Sequence, residues 1–252
     1  MNSFIENCSI FALYKVITLT LSSITIAMNN LSRSKIDLFI ECPHCFYLEQ
    51  KKKIKRPSPR AYTLNTAVDG LLKKEMDVYR AKQQSHPIQA SLGLVPSNHP
   101  KMDDWRSSLK KGVEYHHPKH NCIYRGGIDD LWVRPKSNLH FVVDYKCTAK
   151  KNKVVKLPDW ADSYRRQMEI YQWLLRKNGL KVSNTGYFLY CTGDVHAPNF
   201  GGKLSFHQEL IPYKGDDSWV DGVLNKMQAC LRRSKAPAPS KNCQWCEFRH
   251  SQ

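Results

Sequence analysis

Asp129, Asp144 and Lys146 are the residues of this chain whose types and spacing are best matched to joint chemistry. Ile128 to Val133 and Leu139 to Lys146 are rich in β-branched and aromatic side chains, and Arg134 to Asn138 between them is turn material. A hairpin turning about the Lys136/Ser137 bond sets Arg134 opposite Leu139, Val133 opposite His140 and Asp129 opposite Asp144. Side chains alternate along a strand, so Asp144 and Lys146 share a face and Tyr145 points the other way. Two carboxylates and an ammonium then meet at one spot. Like charges across a ladder are destabilising, and a divalent cation offsets them. Hard oxygen donors suit Mg²⁺ or Mn²⁺, with phosphate and water completing the shell. Lys146 beside such an ion would orient a water and stabilise charge developing on a phosphate. The plainer alternative is an exposed hairpin with solvated acids.

The second chemical feature is sulfur. Of nine cysteines, four form two C-x-x-C pairs, Cys42/Cys45 and Cys243/Cys246, near opposite ends of the sequence. The odd count and this pairing favour a reducing compartment and metal ligation over disulfides. A single C-x-x-C supplies half of a tetrahedral shell, so the two pairs are expected to converge. Zinc or an iron–sulfur cluster fits four thiolates equally well at this level. Cys147 belongs to the hairpin and is expected to lie outside the cluster. His116, His117, His120 and Cys122 are close in sequence, but their spacing matches no established zinc pattern.

Several elements must position these groups. Ser34 is placed to cap a helix from Lys35 to about Glu41, with Ile36, Phe39 and Ile40 inward. Leu64 to about Lys82 reads as an amphipathic helix with a stripe of Leu64, Val68, Leu71, Leu72, Met76 and Tyr79. Prolines at 87, 96, 100 and 118 break the segment 83–121, leaving short strands at Leu92–Val95 and Gly112–His117. Asp159 to Lys177 is a second strong helix, stopped by Asn178-Gly179. Its inward stripe is Trp160, Tyr164, Gln167, Met168, Tyr171, Leu174 and Leu175, with an amide where a hydrophobe belongs. Gly186–Thr192 and Leu204–Ile211 read as strands and Trp219–Arg232 as a helix.

The charge of +17, from 39 Lys and Arg against 22 Asp and Glu, predicts a polyanionic partner, nucleic acid first and an anionic membrane second. Lys51, Lys52, Lys53, Lys55 and Arg56 lie in a proline-broken basic stretch, Lys51 to Arg60, suited to phosphate contacts or simply solvated. Residues 1–27 differ from the rest. Phe11 to Ala27 is nearly apolar and short for a spanning helix. The expectation is an over-extended start with the native one at Met28, a cytoplasmic protein and no membrane partner; an N-terminal membrane anchor is the alternative.

The run Leu31 to Tyr47, with Ser32, Ser34, Cys42, Pro43 and Phe46, resembles the opening signature of RecB-like nucleases of the PD-(D/E)xK superfamily. Gly126-Gly127-Ile128-Asp129, Asp144-Tyr145-Lys146 and Gln167-x-x-x-Tyr171 follow in the family's order, so the resemblance spans about Leu31 to Arg249. It implies an α/β restriction-endonuclease-like core over 28–252, a central mixed sheet flanked by helices, with a terminal four-cysteine clasp. It implies Mg²⁺- or Mn²⁺-dependent hydrolysis of DNA, single- or double-stranded, in repair, recombination or defence. Asp129, Asp144 and the Tyr145 carbonyl would hold the metal, Lys146 would position water, and Gln167 and Tyr171 would support the site. Where the family carries a metal-binding His in Gly-x-x-x-His, this chain has Asp69, with Glu75 the other nearby candidate. Relatives with a 4Fe–4S cluster use one cysteine early and three late; the expected last position is Gln252 here, and Cys45 is the replacement. No G-x-x-x-x-G-K-[ST] occurs, so a helicase or repair partner would be a separate protein. The rivals are a non-catalytic DNA-binding module and an RNA-directed nuclease of the same fold.

Overall fold

A computed structural model describes residues 29–58 and 62–251. Residues 1–27, expected to be an over-extended start, lie with Met28 outside the described residues, as does Arg60. The chain runs β1 (Asn29–Ser32), α1 (Arg33–Glu41), α2 (Pro43–Lys52), α3 (Thr63–Lys82), α4 (Pro87–Ala90), β2 (Val95–Pro96), α5 (Met102–Arg106), β3 (Val113–His117), β4 (Cys122–Gly126), β5 (Asp130–Arg134), β6 (Leu139–Ala149), α6 (Asp162–Lys177), β7 (Thr185–Gly193), β8 (Phe206–Lys214), α7 (Val220–Arg232) and α8 (Gln244–His250).

The central sheet has the order β2-β5-β6-β7-β8. β6 and β7 are parallel, joined across one face by α6, while the other neighbours are antiparallel. A smaller sheet, β1-β4-β3, lies beside it. The chain passes from one sheet to the other at Gly126-Gly127-Ile128-Asp129.

Alternation along the strands sends side chains into two cores. Trp132, Phe141, Val143, Tyr187 and Leu189 pack with Leu72 and Met76 of α3. Leu131, Val142, Phe188 and Tyr190 pack with Met168, Ile170 and Leu174 of α6. β6 is therefore covered on both sides, which accounts for its continuous apolar run. Asp144 and Lys146 have the parity of Val142 and face α6. The fold is a mixed α/β sandwich of the restriction-endonuclease-like kind.

Local expectations hold with some shifts. α1 begins at Arg33, so Ser32 and not Ser34 takes the N-cap position; its hydroxyl bonds Ser34 Oγ at 2.8 Å, leaving the helix end uncapped by a side chain. Ile36 and Phe39 are buried, whereas Ile40 is half-buried and Asp37 goes inward to meet Arg166. On α3 only Leu72 and Met76 are buried; Leu64 and Leu71 are exposed because the helix packs on β6 and β2 along one narrow side. Trp160 precedes α6 and is exposed, with Lys150 Nζ 5.4 Å from its ring. The segment 83–121 contains two short helices, α4 and α5, that its prolines did not announce. Gly179, at φ 85°, ends α6 in a conformation that costs glycine nothing.

Candidate active site and cysteine cluster

The hairpin register is the one expected: Arg134 pairs with Leu139, Val133 with His140 and Asp130 with Val143. The ladder stops there. One step on, Asp129 turns its carboxylate inward and Oδ2 accepts the Tyr145 N–H at 2.9 Å. The side chain thus fills the place of the next backbone bond, fixing Asp129 against β6 on the approach to Asp144.

Asp144 is fully buried. One oxygen is ion-paired to Lys146 Nζ, and the other accepts from Gln167 Nε2 at 2.7 Å. Gln167 Oε1 lies 3.5 Å from Lys146 Nζ, and Gln167 Nε2 is 3.1 Å from the Tyr171 hydroxyl. The polar residue on the apolar stripe of α6 is thereby explained: it closes a ring of hydrogen bonds with β6. Lys146 Nζ also sits 4.4 Å from the centroid of Tyr164. Burial, reinforced by the neighbouring Asp129 charge, pushes the Asp144 carboxyl up to about 6 against the pull of Lys146. Burial alone would lower the Lys146 ammonium, but Asp144 and Asp129 outweigh it and raise it. Lys146 is thus held protonated against its partner.

α3 contributes from the far side. Asp69 Oδ2 binds Lys73 Nζ at 2.8 Å, and the same ammonium is 3.5 Å from Asp129 Oδ1. Burial, with Asp129 nearby, raises the Asp69 carboxyl. A cavity of ≈ 110 Å³ is lined by Asp69, Tyr145, Lys146 and Tyr164. Glu75 faces elsewhere, 2.9 Å from His86 Nε2. The three aspartates do not close into one tight triad. Among the described residues, only the four paired cysteines bring three or more ligand atoms within 4.8 Å of one another. Asp129, Asp144 and the Tyr145 carbonyl are hard oxygen donors, and their nearest cations are the two lysines. This fits a magnesium-like ion, which takes one or two carboxylates and keeps its remaining positions for water and phosphate.

Sequence reasoning missed two supports. Lys73 bridges Asp69 and Asp129, a link that its i+4 spacing from Asp69 half-announces. Asp130, pointing opposite to Asp129, is buried and receives Arg80 Nη2 at 2.5 Å, Tyr145 Oη at 2.7 Å, the Leu131 N–H at 2.7 Å and Arg106 Nη2 at 3.3 Å. It anchors both arginines and the Tyr145 ring beneath the site. Lys51, Lys52, Lys53 and Lys55 are exposed at the end of α2 and just beyond it. Arg56 is not free on that loop: it pairs with Glu41 at 2.7 Å and donates to Cys243 Sγ at 3.5 Å. His120 is held by Tyr124 and Asn225, each at 2.9 Å.

Cys42, Cys45, Cys243 and Cys246 converge as a buried cluster. Each pair uses the same local device. Cys42 and Cys243 occupy N-cap positions before α2 and α8, and Cys45 and Cys246 stand in the first turns, so both sulfurs of a pair project from one helix start. Burial pushes the Cys42 thiol up, but hydrogen bonds from Ser240 and the Cys45 backbone outweigh it and bring it to about 6. Cys147 is outside the cluster, opposite Cys191 on β7. Four cysteines in this arrangement could hold a metal ion.

Residues 121–251, just over half of the chain, match the family model described as the PD-(D/E)XK nuclease superfamily. The matched span includes β4 to α8 and thus Asp129, Asp144, Lys146, Gln167, Tyr171 and the second cysteine pair. No curated protein matches the chain.

Proposed function

This chain belongs to the PD-(D/E)XK nuclease superfamily, and on that premise we propose that it is a RecB-like, Mg²⁺- or Mn²⁺-dependent nuclease hydrolysing DNA phosphodiester bonds. The observation that carries the reading is the closed ring Asp144–Lys146–Gln167, in which a buried carboxylate, an ammonium and an amide from two elements meet beside Asp129.

Asp129, Asp144 and the Tyr145 carbonyl would hold the divalent ion, with Asp69 as a further oxygen donor from α3. When bound, the ion supplies Lewis-acid polarisation of the phosphate and a more acidic water. Lys146 Nζ holds the attacking water in line and offsets negative charge as it grows on the phosphate oxygens. Gln167 keeps Asp144 in its orientation, and Tyr171 keeps Gln167 in its own. Water adds to phosphorus, the P–O bond to the leaving sugar oxygen breaks, and that oxygen takes up a proton. The products are a phosphate monoester and an alcohol.

The basic surface supports a nucleic-acid substrate. β6 runs directly from the site into exposed Lys150, Lys151, Lys153 and Lys156, and Trp160 closes the segment. Lys51, Lys52, Lys53 and Lys55 form a second exposed basic run. Eight described cysteines are free, which fits a reducing, cytoplasmic setting. Among the described residues no helix is long and apolar enough to cross a membrane.

The test is cleavage of circular and end-blocked DNA, single- and double-stranded, and of matched RNA, with Mg²⁺, Mn²⁺ or EDTA. We expect metal-dependent DNA cleavage. Lys146→Ala should lower it on the order of 10²–10³-fold while DNA binding persists, since one of 39 basic residues is lost. Binding without cleavage under every condition would leave a DNA-binding module. Cleavage confined to RNA would reassign the substrate.

A further inference from the structure

We propose that Cys42, Cys45, Cys243 and Cys246 hold a single zinc ion in a closed tetrahedral site, and that this site does not hold an iron–sulfur cluster. The inference rests on reading the quartet as a metal clasp and assigns the metal that the clasp takes.

Spacing between the sulfurs decides the matter. The Sγ atoms of Cys45 and Cys246 are 3.5 Å apart, those of Cys45 and Cys243 3.6 Å, and those of Cys42 and Cys246 3.8 Å. All four lie within 4.8 Å of one another. Four thiolates on one ion with bonds of about 2.3 Å sit at the corners of a tetrahedron with edges of about 3.8 Å. In a four-iron cluster each thiolate binds a different iron. The iron–iron separations then add to the bonds and spread the sulfurs well beyond the spacing seen here.

A two-iron cluster fails on connectivity. It would group the sulfurs into two close pairs, each pair on its own iron and far from the other. Here Cys45 is close to both Cys243 and Cys246, and Cys246 is close to both Cys42 and Cys45. The sulfurs form one knot.

Zinc is favoured over a lone ferrous ion by the ordinary affinity order of divalent metals. Full burial of all four cysteines leaves no open position, which marks a structural site and not a catalytic one. Four thiolates on a divalent ion carry a net double negative charge. Arg56, held to Glu41 and donating to Cys243 Sγ, is the cation that offsets part of it. The cluster-binding pattern of one early and three late cysteines is also unmet, because the second early thiol, Cys45, completes the set.

The full chain should be purified anaerobically, without chelator, from cells supplied with both iron and zinc, then exchanged into excess Mg²⁺ to clear the carboxylate site. Zinc, iron, acid-labile sulfide and the visible spectrum are measured. About one zinc per chain, no sulfide and a colourless protein are expected. Iron with matching sulfide and a brown colour would overturn the zinc assignment and leave the clasp standing. A single iron without sulfide would do the same. No bound metal would overturn the clasp as well. Cys45→Ser and Cys243→Ser should each lose the zinc, while Cys191→Ser retains it. Should the serine variants not fold, cobalt exchanged into the wild-type chain gives an independent reading. The intense visible bands of a tetrahedral tetrathiolate site are expected, and a weak octahedral spectrum would refute the proposal.

Discussion

Asp144 carries opposing demands. Its carboxyl is fully buried, which favours the neutral acid, yet ligation of a cation requires the anion. Burial, with Asp129 adding to it, puts the folded group at about 6, above the ordinary carboxylate value. The sign follows: a raised carboxyl gives the metal-free fold stability that is complete below the unfolded value and is lost as pH rises through about 6. The same protonation competes with the metal. The Mg²⁺ concentration that half-saturates cleavage should therefore climb tenfold per unit once pH falls below about 6, with one proton released per ion bound. Titrating Mg²⁺ at several pH values checks this. Half-saturation that stays flat down to about pH 5 would show that Asp144 is not a ligand with a raised carboxyl.

At the level of elements, the site depends on how closely α6 approaches the sheets. A Cβ at Gly126 would stand 2.6 Å from Cε1 of Tyr171, so the glycine of the Gly-x-Ile-Asp run is there to admit that ring. Gly126→Ala should displace Tyr171, and with it Gln167, costing about 1–3 kcal/mol and slowing cleavage. An alanine variant with unaltered melting and turnover would refute this account of the motif. On the opposite face, Asp130 ties α3 and α5 to β5 through Arg80 and Arg106. Asp130→Ala leaves two largely buried guanidinium groups without their central partner. Chemical denaturation should show a loss of roughly 3–5 kcal/mol. A change below about 1 kcal/mol would mean that the arginines find solvent or Asp77 at little cost.

For the molecule as a whole, the cysteine cluster joins residues 201 positions apart, Cys45 and Cys246. A metal held by all four thiolates would close so long a loop that it would remove much of the unfolded chain's freedom, and it would bind only the folded form. A thiophilic chelator that spares Mg²⁺ should lower the melting temperature by roughly 10 °C. Cleavage at low temperature should survive, because the cluster shares no residue with the carboxylate site. Loss of cleavage in step with metal release, with melting unchanged, would place the thiolates in the chemistry.

Much of the site was legible in the residues. Strand alternation and a four-residue turn were enough to pair Arg134 with Leu139 and to bring Asp129 toward Asp144, because register follows arithmetically from the turn. The two cysteine pairs announced a cluster because half a shell is of little use alone. Gln167 stood out as an amide on an apolar stripe. What the sequence could not contain is the set of contacts made by elements with no fixed spacing between them. Lys73 meets Asp129 only when α3 lies on the hairpin, and Arg56 meets Cys243 only when the chain's end returns to α2. Leu64, Leu71 and Trp160 match the apolar periodicity yet stay exposed, since periodicity names a face and only the packed neighbours decide how much of it is covered. The choice of metal is of the same kind. Four thiols in two pairs admit several groups, and the proposal of a single zinc ion rests on the separation of the sulfurs, which exists only in the folded chain.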